Sequence, residues 1–388
     1  MRRFYSVLAL SIALCTTIGF AQQAATNGPY KVLKADKVGG EGGWDYIYAD
    51  PVGRRLYIPR GAVQARPATD NSPALEAVDK RLIIWNLDTL DKVGEITGVG
   101  GNGAAVCPKT GHGFTSDHPK PSMFDVATMK FIKNIDIPEG FQPDGIYCDT
   151  FNDHVYIFSH PTKSALDVDA KDGTVLANID LGGTPEQGVA DGKGKLFVVM
   201  QDRPGGVAVV DVKTMKTIAH YPFGENGGCN GLALDTKNDV LFAACSAVGT
   251  APQRGQAPGQ PAAAAPPPQP TFVILSAKDG TILSRLPLAA GSDGATFNPQ
   301  TMEAFSTGGG TLTIVKERGP KAFESEQVLP TMGNSRTIAF DSKTGHVFTM
   351  AQEFGPAPTP PSGAAPGGRG AGRGTAIPGS FTILMIGK

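Results

Sequence analysis

The sequence predicts an all-β protein: a seven-bladed β-propeller of four-stranded antiparallel blades, with the N-terminal strand closing the ring in the last blade. Three observations carry this expectation. A polar residue followed by two apolar runs around a Gly/Asn/Asp/Lys turn occurs seven times. A second hairpin follows most copies, giving four strands per unit. Four of the six intervals between copies are 42 or 43 residues, matching the period of about 40–45 residues of four-stranded propeller repeats.

The chain opens on a leader. Arg2 and Arg3 precede the apolar run Val7–Leu14, and Gly19-Phe20-Ala21 offers small residues to a signal peptidase. Residues 1–21 therefore read as a signal peptide, with a single propeller domain over 30–388. Leu14 is too bulky for a lipobox at Cys15. No later apolar run approaches the ~20 residues of a membrane helix. The expected location is periplasmic or secreted.

"YKVLKADKV" from Tyr30 is a strand with no hairpin partner of its own. The first copy is "GGWDYIYADPVGRRLYIPRG" from Gly42, with "LIIWNLDTLDKVGEI" from Leu82 completing its blade. "GNGAAVCPKTGHGFTSDH" from Gly101 pairs with "SMFDVATMKFIKNIDI" from Ser122. The third copy is "PDGIYCDTFNDHVYIFSH" from Pro143. "TPEQGVADGKGKLFVVMQD" from Thr184 is followed by "VAVVDVKTMKTIAHYPF" from Val207. "GGCNGLALDTKNDVLFAACS" from Gly227 is followed, after an insertion, by "FVILSAKDGTILSRLPL" from Phe272. The sixth and seventh copies start at Gly291 and Gly333. After the seventh, "SFTILMIG" from Ser380 supplies only a third strand, so the Tyr30 strand is its expected fourth. A lone four-stranded sheet cannot bury both faces, whereas blades packed around an axis can.

Charge is balanced, with 35 Lys+Arg against 36 Asp+Glu. That argues against a nucleic-acid or anionic-membrane partner. Cys107, Cys148, Cys229 and Cys245 match neither a zinc site nor a CxxCH haem attachment. Two readings stand: a cross-strand disulfide between Cys229 and Cys245, or four buried thiols. P-loop, G-x-S-x-G, HExxH and Rossmann patterns are absent.

If each first strand lines the channel, the polar residues at their starts ring its top mouth. These are Asp45, Asn102, Asp144, Gln187, Asn230, Asp293 and Arg336. Asp and Asn before Gly are also ordinary turn formers. As a site, the ring would bind a polar ligand. Asp45, Asn102, Asp144, Asn230 and Asp293 would suit Ca²⁺ or Mg²⁺, and Arg336 an anionic group. Trp44 could stack on a ligand or pack between blades. His118, His160, Gln201, Ser246 and Gln352 end the second strands on the same face, and His118 and His160 are the candidate acid–base groups. His112, His154 and His346 read as exposed turn residues on the opposite face. Insertions near 61–80, 248–270 and 354–379 would overhang the mouth. The Arg-Gly tract at Arg369 and Arg373 lacks the interleaved aromatics of a nucleic-acid binder.

The runs "RRLYIPRG", "HVYIFSH", "KLFVVMQ" and "HVFTMAQ", with "VAVVDVKTMKTI", resemble the YVTN-type propellers, within the superfamily that holds the quinoprotein amine dehydrogenase β-chain-like propellers. The YVTN tetrapeptide itself is absent. The resemblance implies the fold and says little of chemistry. The expected function is an exported, non-catalytic propeller binding a small molecule, peptide or partner protein at the top face. One alternative is a metal-dependent hydrolase of the lactonase type, because some propeller lactonases hold a divalent cation at the channel mouth. The other is a partner-dependent oxidoreductase subunit.

Overall fold

The computed structural model describes residues 27–68, 74–248, 269–356 and 374–388. The expected signal peptide, Cys15, the Arg369 and Arg373 tract and the low-complexity parts of the second and third insertions lie outside them. The described residues hold 28 strands in seven four-stranded sheets. Strand β1 (Lys31–Lys37) stands apart at the start. Blade 1 is β2 (Tyr48–Asp50), β3 (Arg55–Arg60), β4 (Arg81–Asn86) and β5 (Lys92–Thr97). Blade 2 is β6 (Ala104–Cys107), β7 (His112–Thr115), β8 (Ser122–Asp125) and β9 (Lys130–Asn134). Blade 3 is β10 (Pro143–Asp149), β11 (His154–Ser159), β12 (Ser164–Asp169) and β13 (Val175–Asp180). Blade 4 is β14 (Pro185–Ala190), β15 (Lys195–Met200), β16 (Gly206–Asp211) and β17 (Lys216–Pro222). Blade 5 is β18 (Asn226–Asp235), β19 (Val240–Val248), β20 (Thr271–Ser276) and β21 (Ile282–Pro287). Blade 6 is β22 (Ala295–Asn298), β23 (Glu303–Gly308), β24 (Thr311–Gly319) and β25 (Ala322–Pro330). Blade 7 takes β26 (Arg336–Asp341), β27 (His346–Ala351) and β28 (Thr382–Gly387), and β1 closes it against β28.

The core lies between blades rather than within them. Seven apolar clusters each straddle two neighbours, as Trp44, Ile58 and Trp85 of blade 1 do with Phe348, Phe381 and Ile383 of blade 7. Second and third strands such as β11 and β20 are buried along almost their whole length, whereas outer strands such as β9 face solvent. Each fully buried Phe or Leu contributes about 1.5–3 kcal/mol, so stability depends on all the interfaces together.

The turns on the lower face are clamped from the sequence. Asp50, Asp149, Asp235, Asn298 and Asp341 each accept the backbone N–H two residues on, at 2.9–3.0 Å. Such Asx turns fix the hairpin bend. The three histidines nearby are half-buried rather than exposed. His154 Nδ1 lies 2.8 Å from the buried Asp167, and a His112 ring nitrogen is 2.9 Å from the Ala170 carbonyl.

Closure has specific hardware. Tyr30 is buried, its N–H donates to Gln327 Oε1 at 3.0 Å, and Gln327 Nε2 donates to its carbonyl at 2.9 Å. The Tyr30 hydroxyl donates to Glu303, which also receives Lys388 Nζ at 2.8 Å and the Thr301 hydroxyl at 2.5 Å.

Both cysteine pairs are disulfides, which decides against four free thiols. Cys229–Cys245 joins directly opposed residues of β18 and β19. Cys107–Cys148 staples β6 to β10, the first strands of neighbouring blades. That second bridge was legible in one respect: the two cysteines are separated by 41 residues, about one blade period.

One buried carboxyl gives the fold a pH dependence. Burial pushes Glu317 up to about 7, with the Asp235 charge adding to it and a 2.7 Å hydrogen bond from Asn238 opposing it. Its folded value is above its unfolded value. The resulting stability is therefore present in full below about 4.5 and is lost as pH rises through about 7. Replacing Glu317 with Gln should remove that loss, so the variant melts above the wild type at pH 8, with the gap closing by pH 5 in paired thermal melts.

Candidate functional site at the channel mouth

The first strands converge so closely that side chains do not fit beside the marker residues. A Cβ on Gly145 would sit 2.8 Å from the Glu186 carbonyl oxygen, and one on Gly231 2.6 Å from the Gly294 carbonyl carbon. The glycine after Asp144 thus serves close approach at the axis rather than a turn. In β10, β14, β18 and β26 the pairing register slips at the marker position. Such bulges re-aim side chains and are common beside functional sites.

Six of the seven markers gather at the mouth. Asn102 Nδ2 donates to Asp144 Oδ1 at 2.9 Å. Asn230 Nδ2 donates to the Ser292 carbonyl at 2.9 Å. Arg336 lies 3.7 Å from Asp293, and its guanidinium donates to the Trp44 carbonyl. Asp45 sits among these charges. Loss of solvent raises its pKa well above the usual carboxylate range, Asp293 raises it further, Arg336 opposes, and Asp144 and Glu186 add to the rise.

Gln187 is elsewhere. Its Oε1 accepts the N–H groups of Leu232 and Ala295 at 3.0 Å, and its Nε2 donates to the Ala295 carbonyl at 2.9 Å. It ties the first strands of blades 4, 5 and 6 inside the channel. Replacing it with Leu should cost about 2–4 kcal/mol, because three buried backbone groups lose their partner. Chemical denaturation measures this, and an unchanged midpoint would show that water replaces the amide.

Glu186 takes the mouth position of blade 4, which the sequence reading gave to Gln187. Both residues fall in the β14 bulge, where alternation no longer tells which side chain faces the axis. Glu186 is only 4% exposed. Tyr46 of blade 1 reaches across the channel and donates to Glu186 Oε2 at 2.6 Å. Gln201 donates to Glu186 Oε1 and, at 3.1 Å, to Asn230 Oδ1. His160 Nε2 lies 2.8 Å from Asp144 Oδ2 and 3.6 Å from Glu186 Oε1.

The remaining candidates separate. Trp44 is buried, edge-on to Phe381 at 4.8 Å with the Arg336 guanidinium 4.7 Å from its ring centre. It packs blade 1 on blade 7. His118 is exposed and lines a cavity of about 190 Å³ with Asp144 and His160. A larger hollow of about 460 Å³ lies between Asn230, Asp293 and Arg336. Of the insertions, the first forms a paired arm through Val63–Val78 and Arg66–Leu75, and the third has a paired stem at Phe354–Ala376.

The sequence matches no family model and no curated protein. Solved structures share the fold. A chain of Kuenenia stuttgartiensis hydrazine synthase is 12% identical, with a TM-score of 0.62 over 86% of this chain and 95% of that one. The WD40 repeats of RRP9 are 11% identical, with a TM-score of 0.65 over 94% and 99%. U3-55K is 10% identical, with a TM-score of 0.64 over 92% and 98%. At these identities the likeness is one of fold. No helix among the described residues is long and apolar enough to cross a membrane.

Proposed function

We propose that this is an exported, non-catalytic propeller of the YVTN type that binds a small polar ligand at the top-face mouth. The observation that carries the reading is the charge there. Asp144, Glu186 and Asp293 converge beside the desolvated Asp45, with Arg336 and His160 as their basic neighbours. A surplus of carboxylates around a hollow favours a ligand with an amine or other cationic group. Export is supported by the two disulfides, which persist in oxidising compartments.

The lactonase-type alternative needs, besides a divalent ion at the mouth, a group that moves protons to the substrate; of its two candidates His118 is exposed and His160 is paired with Asp144. The likeness to a hydrazine synthase chain, at 12% identity, gives the oxidoreductase alternative no support beyond fold.

A thermal-shift screen of small amines against matched neutral and anionic compounds tests the ligand class. Amines should stabilise the protein, and Asp293→Asn should weaken the effect. Stabilisation by anions alone would reject the reading. Export is tested by the N-terminus of the protein recovered from cells expressing the full chain, expected at Gln22.

A further inference from the structure

We infer that Asp144, His160 and Glu186 form a binding site for one divalent transition-metal ion, which deepens the reading of the mouth as a ligand site and rests on it. The three residues come from β10, the loop end of β11, and β14, so two blades contribute. One ligand atom from each lies within 4.8 Å of the others. The shortest separations, 2.8 Å from His160 Nε2 to Asp144 and 3.6 Å from it to Glu186, bracket the roughly 3–3.5 Å between atoms sharing an ion at about 2.0–2.2 Å.

The surroundings orient these groups as metal ligands are oriented. Asn102 holds the other oxygen of Asp144. Tyr46 and Gln201 hold the two oxygens of Glu186. Each carboxylate oxygen has a second lone pair, so these bonds fix the carboxylates without using up their capacity to bind metal. Bulges in both β10 and β14 turn the two carboxylates toward the histidine.

Donor chemistry sets the ion. An imidazole with two carboxylates favours Zn²⁺, Mn²⁺, Fe²⁺ or Co²⁺ over the all-oxygen ions Ca²⁺ and Mg²⁺. The ligand set also differs from the five residues expected from sequence. It retains Asp144 and replaces the others with His160 and Glu186. Three protein ligands leave at least one position free. Asp144 and His160 line the 190 Å³ cavity, from which water or the neutral nitrogen of an amine would complete the shell.

The test uses untagged full-length protein stripped with EDTA, with Co²⁺ alone and then Zn²⁺ alone as probes. Co²⁺ should bind one ion per chain with a visible absorption band that Zn²⁺ removes. His160→Gln and Glu186→Gln, each checked for a native circular dichroism spectrum, should weaken binding at least tenfold. Lys213→Ala, in the exposed turn between β16 and β17, should leave metal affinity unchanged. Substoichiometric Co²⁺ binding, tighter binding of Ca²⁺ than Zn²⁺, or equal affinity in the His160→Gln variant would overturn the assignment and leave the cluster an ordinary ion pair. The two readings fail separately. Amine binding by stripped protein without metal binding rejects this site alone. Metal binding with no organic ligand of any charge rejects the small-ligand reading alone.

Discussion

A chain lacking residues up to Lys37 should fail to show a cooperative melt, whereas one lacking only residues up to 28 should melt like a chain that starts at Gln22. Strand β1 pairs with β28 from Lys31–Gly387 to Lys37–Thr382, and without it blade 7 keeps three strands and an open edge. The deletion also removes the buried Tyr30, both Gln327 hydrogen bonds and one donor to Glu303. Removing a buried aromatic side chain alone costs about 3–5 kcal/mol, against a typical total stability of about 5–15 kcal/mol. Tyr30→Ala therefore gives the intermediate case, and a urea midpoint unchanged by it would sink the argument. Acid should weaken the same joint. Burial opposes the Glu303 charge, but hydrogen bonds from Lys388, Thr301 and Tyr30 win and hold the carboxyl below its usual range. A depressed folded pKa contributes stability above the unfolded value of about 4.5, and that contribution disappears as pH falls toward 2.

Breaking Cys107–Cys148 should cost about 2–4 kcal/mol, the typical contribution of a disulfide. It should cost more than breaking Cys229–Cys245. The loops closed span 41 and 16 residues, and the chain-entropy difference between them is about 0.8 kcal/mol. Paired Cys→Ser variants compared in urea give both numbers. Thiol titration of the denatured, unreduced chain from residue 22 onward should find no free thiol among the four. An unchanged midpoint in the Cys107/Cys148 double variant would show that packing between blades 2 and 3 makes the staple redundant.

The architecture was legible because it repeats. Seven copies fix the period, and the spare strand at Tyr30 with the missing strand after Ser380 fixes the closure. The mouth was legible only where strand geometry is regular. Asn102 and Asp144 could be placed because each precedes a glycine that the axis requires. Glu186 was missed because a bulge suspends the two-residue alternation, so its neighbour Gln187 was read in its place. Trp44 could not be assigned a face from sequence, since an aromatic beside an acid suits a ligand mouth and a blade interface alike. The Cys107–Cys148 bridge needed the two cysteines to be set at equivalent positions of adjacent repeats, where one blade step around the ring brings them together.

Tyr46 and Gln187 have a consequence for traffic. Tyr46 reaches from blade 1 to Glu186 of blade 4, and Gln187 ties blades 4, 5 and 6. These crossings narrow the passage along the axis. A molecule seated at the mouth therefore rests against them, and its exchange runs through the top opening.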